Sequence, residues 1–326
     1  MPSKLKAGKI PLLIIAGPTA AGKSALALEV AGRLQTDIIS ADSAQVYRRL
    51  DIGTAKPAPE EQKLVKHHLI DLVEPDQYYS AADYQKDAVE TIASLWLNGK
   101  LPLMVGGSGL YIKAVTDQFA FGEQGANCAL RAYFDQISHT EGLDVLYARL
   151  QAVDPPAAAK IHPHDRRRII RALEVYELEG EPISEQVFRT GLRESPYEII
   201  FFGLVPDRDQ LYSRIEKRVD KMIVQGFIDE VRDLYQQGYD QDAPGMQILG
   251  YRQLLIYIKG GMNLDDTLTE IKKQTRNLAK RQLTWFRRET RIRWLKSSDQ
   301  SSFSDLTEII CTKVKDIIPS QANNNS

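Results

Sequence analysis

The sequence predicts an α/β protein: a parallel sheet core flanked by helices, with a mostly helical domain inserted into it. Three observations carry this. Short, continuous apolar runs alternate with helical stretches, the pattern of strands buried on both faces. The first run ends in a glycine-rich loop, "GPTAAGKS", that opens a helix, so the core is of the P-loop type. Residues 118–198 hold amphipathic helical runs and no convincing buried strand, which marks the insertion.

Taken in order, "IPLLIIA" (10–16) reads as the first strand, and Lys23 to Leu34 as a helix of good helix formers. "TDIIS" (36–40), "LPLMV" (101–105) and "IIFFGLV" (199–205) read as further strands. The insertion holds "EGLDVLYARLQAVD" and "RRRIIRALEVYELEG", the second closed by a glycine. Helices ending at Gly226 and Gly238 follow, then a long one from about Leu264 to Arg288, and "IRWLK" as a small strand. The expected domains are a first core part at 10–117, the insertion at 118–198, a second core part at 199–300 and a partly disordered tail at 301–326.

Composition excludes several classes. The chain has 326 residues, a net charge of −1 and 43% hydrophobic residues, so bulk charge announces no nucleic-acid partner. Its two cysteines, Cys128 and Cys311, are far apart, and neither histidine pair has a zinc spacing, which argues against a disulfide framework or a zinc site. No apolar run suits a signal peptide or a membrane span, so a cytoplasmic protein without membrane contact is expected.

The loop Gly17, Pro18, Thr19, Ala20, Ala21, Gly22, Lys23, Ser24 fits GxxxxGK[ST] in the strand–loop–helix context that confirms it. Its N–H groups and the helix N-terminus suit a phosphate, Lys23 reaches the terminal phosphate, and Ser24 is the candidate Mg²⁺ ligand. The loop binds a di- or triphosphate without fixing the reaction. No acid follows the third strand, and Asp71 in "HHLIDLVEP" is a poor Walker-B substitute, which weakens an NTP hydrolase.

The second strand runs into "SADSAQVYRRLDIGTAKP", placing Asp42 and Ser43 at the carboxyl edge of the sheet beside the loop. Asp42 can bind Mg²⁺ through water, take a proton from an attacking group, or merely cap a following helix. Gln45 can read a base edge, and "DIGTAKP" alone is a plain loop. Arg214 and Arg218 lie four apart on one helical face; facing the loop they would hold a leaving diphosphate, facing water they would pair with neighbours such as Glu216.

Residues 270–296 carry ten Lys/Arg against two Glu, a local net of +8, interleaved with Trp285, Phe286 and Trp294. Arg276, Lys280 and Arg287 share a helical face, which suits a phosphate backbone or a solvated surface. Arg167, Arg168 and Arg171 crowd a helix start, where the dipole disfavours cations; a partner phosphate, or pairing with Asp165 and Glu174, would remove that penalty.

Eight stretches resemble one family. They are "GPTAAGKS", "ISADSAQVYRRLDIGTAKP", "HHLIDLVEPDQYYSAADYQ", "PLMVGGSGLY", "RRIIRALEVY", "RIEKRVDKMI..GF..EV", "GYRQL" and "AKRQLTWFRR", spread from about residue 12 to 295 in family order. The sequence is similar to the tRNA dimethylallyltransferases, also called tRNA isopentenyltransferases. The resemblance implies transfer of a five-carbon prenyl group from dimethylallyl diphosphate to N6 of an adenosine beside the tRNA anticodon, with Mg²⁺. It implies Asp42 as the base, Thr19 to Ser24 on the diphosphate, and Ser108 and Arg218 assisting. The implied tRNA contacts are Asp42, Ser43, Ala44, Gln45 and Ser108; Arg167, Arg168, Ile169, Ile170 and Arg171; Gln247, Ile248, Leu249, Gly250, Tyr251 and Arg252; with Arg276, Lys280 and Arg281 nearby. Ser108 stands where the family usually has Thr, which keeps the hydroxyl, and "FAFGEQGANCALRAYF" is a looser match. The sequence shows no C-terminal zinc finger of the kind in eukaryotic relatives, so a bacterial or organellar type is the expectation. A monomer is the expected state. The alternatives are an adenylate (AMP/ADP) isopentenyltransferase, against which the insertion and the +8 helix argue, a P-loop nucleoside or small-molecule kinase, and a non-enzymatic RNA binder, which would leave Asp42 and the intact loop without a role.

Overall fold

The first apolar run is a strand, β1 (Ile10–Ala16), buried along nearly its whole length. It occupies the interior of a six-stranded sheet because both faces of the run are apolar. The other strands are β2 (Ile38–Ala41), β3 (His67–His68), β4 (Leu103–Gly106), β5 (Tyr197–Pro206) and β6 (Arg293–Ser297). All pairings are parallel, and the order across the sheet is β3-β2-β4-β1-β5-β6. This computed structural model describes residues 9–119, 121, 127–186, 194–297 and 303–318. The basic start of the chain and the polar "SQANNNS" end lie outside the described residues.

Helix α1 (Lys23–Leu34) starts at Gly22, whose φ of 93° is left-handed and favours glycine. It buries Leu26, Ala27, Val30 and Ala31 on the sheet. Helix α2 (Pro59–Leu64) precedes β3. Helix α3 (Ala81–Leu97) starts in a capping box: Ser80 Oγ accepts from Asp83 N–H at 3.2 Å, and Asp83 Oδ2 accepts from Ser80 N–H at 2.8 Å. Helix α4 (Gly109–Thr116) follows β4.

The chain divides into two compact units, Met1–Ile112 with Pro196–Ser326, and Lys113–Ser195. The second unit holds α5 (Cys128–Thr140), α6 (Leu143–Val153), α7 (Pro155–Ala158) and α8 (Arg166–Glu179) around a core of Phe134, Leu146, Leu150, Ile169 and Leu173. Helix α8 ends at Gly180, φ 67°, at the glycine expected to close it.

The first unit continues with α9 (Arg208–Val224), α10 (Phe227–Gln236), α11 (Tyr251–Ile258) and α12 (Leu264–Phe286). Two features depart from the sequence reading. Strand β3 is two residues long and exists only through pairing with β2, so no periodicity marks it. The expected tail over 301–326 contains a helix, α13 (Phe303–Ile317). Leu306, Ile310, Val314 and Ile317 recur at helical spacing and join the core beneath α1, which gives this part of the tail a packed place. Phe303 lies against Gly22 at the start of α1.

Candidate active site

The phosphate loop hangs from the carboxyl end of β1, where ligands of such sheets gather. Ala20 adopts a left-handed φ of 62°, an uncommon state for a residue with a Cβ. Lys23 Nζ donates to Pro18 O at 2.7 Å, so the side chain folds back over its own loop. From α12, Gln282 Oε1 accepts from Thr19 N–H at 2.8 Å, and its Nε2 donates to Gly107 O at 3.1 Å. One amide thereby fixes the loop to the end of β4. In the sequence Gln282 stands only as one polar residue of "AKRQLTWFRR"; no local signal gives it this role, because its partner is 263 residues away.

A cleft of about 970 Å³ opens in front of the loop. Gly22, Lys23 and Ser24 form one side and Arg214, Arg218 and Lys221 of α9 the other. A smaller pocket of about 70 Å³, lined by Thr19, Lys23, Ser24, Asp42, Gln45, Gly107, Arg218 and Gln282, shares Lys23, Ser24 and Arg218 with the cleft. The two arginines therefore face the loop rather than water. Glu216, which would otherwise pair with them, binds Arg276 at 2.7 Å. Burial pushes the Lys23 ammonium down to about 8; the Asp42 carboxylate opposes this and Arg218 adds to it. Burial also lowers the Arg218 guanidinium, again against the pull of Asp42.

Asp42 closes a turn and caps no helix: its Oδ1 accepts from Ala44 N–H at 2.9 Å, and turns follow it. Ser108 steadies the same segment, its Oγ accepting from Ser43 N–H at 2.9 Å while its own N–H donates to Ala41 O at 3.0 Å. Gln45 accepts from Ser40 Oγ at 2.9 Å and donates to Ala55 O at 3.2 Å. Below, Tyr84 donates to Ser40 O at 3.0 Å and stacks on Tyr111 with centroids 3.9 Å apart. Burial first, then neighbouring groups including Asp42, push both phenols up, so they remain proton donors. No local pattern in the sequence marks this pair.

Asp71, the candidate Walker-B acid, is committed elsewhere: Lys56 Nζ pairs with it and with Asp51 at 2.6 Å each. Among the described residues no group of three or more His, Cys, Asp or Glu is placed to hold a metal. The nearby oxygen donors are the exposed Ser24 hydroxyl and Asp42, a hard set that suits Mg²⁺ completed by water and phosphate oxygens.

The remaining candidates lie outside this pocket. Gln247 and Arg252 are exposed, whereas Gly250 and Tyr251 are buried, so the Tyr251 side chain meets protein and not solvent. On α12 the charge divides. Lys272 pairs with Asp220 at 2.6 Å and Arg276 with Glu216, both on α9, while Lys280, Arg281, Arg287 and Arg288 are exposed beside Trp285 and have no ion-pair partner among the described residues. In the second unit, Ile169 and Ile170 are core. Arg171 reaches the fully buried Glu174 at 2.8 Å, Arg168 lies 3.5 Å from Asp165, and Arg167 is exposed.

Residues 45–289 match the profile of the family described as IPP transferase. The chain belongs to the IPP transferase family. It is 46% identical over 310 residues to the tRNA dimethylallyltransferase of Natranaerobius thermophilus, covering 94% of this chain and 91% of that one. It is 47% identical over 302 residues to that of Carboxydothermus hydrogenoformans, covering 93% and 96%. The crystal structure of the full-length tRNA isopentenylpyrophosphate transferase of Bacillus halodurans superposes with a TM-score of 0.71 at 39% identity, covering 95% of this chain and 97% of that one. A eukaryotic dimethylallyltransferase acting on tRNA gives a TM-score of 0.80 at 26% identity, covering 94% and 79%. The α/β fold is that of this family, and the chain is a prenyl transferase.

Proposed function

We infer that this chain is a tRNA dimethylallyltransferase: it moves a dimethylallyl group from dimethylallyl diphosphate to N6 of the adenosine beside the anticodon. Beyond family membership, one observation carries the reading. The cationic cleft of Lys23, Arg214 and Arg218 runs on into the pocket that holds Asp42, so a leaving diphosphate and an acceptor's proton have places a short way apart.

In this reading the N–H groups of Thr19 to Ser24 and the start of α1 bind the diphosphate. The adenine amino nitrogen attacks the first carbon of the prenyl group, the carbon–oxygen bond to the diphosphate breaks, and the proton passes from nitrogen to the Asp42 carboxylate. Lys23 and Arg218 hold the charge that develops on the departing diphosphate. Ser108 keeps Asp42 in register through Ser43. Mg²⁺ at Ser24, when bound, neutralises part of the diphosphate charge. The exposed cations of α12 and Trp285, with Arg167, Gln247 and Arg252, serve as tRNA contacts, and an unpaired anticodon loop lets the base leave its stack. Among the described residues no helix is long and apolar enough to cross a membrane. In this reading a monomer suffices, because one chain carries both cradle and base, and a tRNA substrate puts the work in the cytoplasm.

The test is incubation with labelled dimethylallyl diphosphate and either tRNA or AMP, followed by mass spectrometry of the tRNA nucleosides. Label in N6-isopentenyladenosine of tRNA is expected. Label on AMP, or brisk ATP hydrolysis without transfer, overturns the reading.

A further inference from the structure

The stretch "DIGTAKP" reads as a plain loop, and the reaction above gives Glu230 of α10 no part. Together they make a fixed wall of the cleft. Asp51, Ile52 and Lys56 line the outer cleft, and Ala55 and Pro57 line both it and the inner pocket. The Glu230 carboxylate accepts three successive backbone N–H groups of this wall: Asp51 at 3.1 Å and Ile52 at 2.8 Å through Oε2, and Gly53 at 3.3 Å through Oε1. Oε1 also accepts from the Tyr251 hydroxyl at 2.5 Å. Burial, then the Glu230 charge, push that phenol far above its usual range, so it keeps the proton it donates. Gly53 has no space for a Cβ, which would run into the rings of Phe227 and Tyr251. The wall's other end is held by Lys56, whose side chain is 3% exposed and which also donates to Tyr47 O at 2.9 Å. Three N–H groups on one carboxylate, with two aromatic rings packed against Gly53, tie residues 51–53 of the wall to α10.

We propose that Glu230 is a positioning residue for the donor: by fixing the wall of residues 51–57 on α10, it shapes the cleft against the prenyl diphosphate while touching neither substrate. The proposal rests on the donor reading of that cleft. The test uses the full chain with Glu230→Ala, Glu230→Gln and Tyr251→Phe. It measures the KM of dimethylallyl diphosphate, the KM of tRNA, kcat, the melting temperature, and inorganic pyrophosphate binding by calorimetry. Glu230→Ala is expected to raise the donor KM at least about fivefold, with kcat and the tRNA KM within about twofold. Glu230→Gln keeps one acceptor oxygen and gives a smaller rise of the same kind; it carries the test if the alanine variant does not fold. Tyr251→Phe leaves the three N–H bonds and moves the donor KM by less than about twofold. An unchanged donor KM in a folded Glu230 variant, or an equal rise for both substrates, overturns the proposal. A wild-type chain that binds pyrophosphate yet transfers no prenyl group to tRNA sinks the functional reading instead. In that case the variants' pyrophosphate affinity decides the wall: unchanged affinity refutes it and weakened affinity supports it.

Discussion

Lys23 and Arg218 are half-buried around Asp42, whereas Lys280 and Arg281, on the outside of α12, are exposed with no ion-pair partner among the described residues. The sequence counts all four as single positive charges. In the cleft, burial makes each charge costly to hold and strongly responsive to a diphosphate, since a low-dielectric setting strengthens the attraction. On the helix surface each charge is screened by water and salt and acts only by neutralising phosphates one at a time. Part of α12 belongs to neither class, because Lys272 and Arg276 are already neutralised by Asp220 and Glu216. The local net of +8 is therefore an upper bound on what this region offers to RNA.

The sharpest way to break this division is at Asp42. Asp42→Asn keeps the shape of the pocket and removes the proton acceptor, so kcat should fall at least ~10²-fold with tRNA binding preserved. A rate near wild type, measured in single turnover with both substrates saturating, would take Asp42 out of the chemistry. Next is the surface. Lys280→Ala with Arg281→Ala should weaken tRNA binding roughly tenfold and lower the slope of log affinity against log salt by about 2. An unchanged slope would put the RNA elsewhere.

A third test separates buried from exposed cations by pH. With its pKa at about 8, free Lys23 is charged below that pH, and a bound diphosphate raises the pKa. Binding above pH 8 must then take up a proton, so the affinity attributable to Lys23 is full below about pH 8 and falls by up to ~10-fold per unit above it. Comparing pyrophosphate binding in the wild type and in Lys23→Arg, whose charge does not titrate in this range, isolates the effect. Parallel pH profiles would refute it. The smallest expected change is at Arg276. Because Glu216 already holds it, Arg276→Ala should alter tRNA affinity by less than about twofold and stability by ~1 kcal/mol or less, read from filter binding and denaturant melts.

Much of the core was legible in the sequence because it is local. The apolar run at 10–16 and the helix at 23–34 coincide with β1 and α1, and Gly180 and Gly226 mark helix ends through their left-handed φ. The loop was legible because glycine, lysine and serine must stand at fixed offsets to wrap a phosphate. Tertiary relations were not legible. Gln282 and Glu230 are ordinary polar residues on amphipathic helices, and only the packed fold brings them to Thr19 and to residues 51–53. The family resemblance implies Tyr251 of "QILGYR" as a tRNA contact, but its ring is fully buried and its hydroxyl meets a carboxylate. Helix α13 carried a readable pattern at Leu306, Ile310, Val314 and Ile317, which its polar flanks obscured.

The Gln282 amide bears on how an allele of this gene should be judged. A reading frame cut by a premature stop just after the insertion would still encode GxxxxGKS, Asp42 and Ser108, and a motif scan would pass it as intact. Its product would lack Gln282 at Thr19, Phe303 against Gly22, and both arginines across the cleft. Such a fragment would carry the loop motif without the amide that ties the loop to β4 or the cations that face it across the cleft.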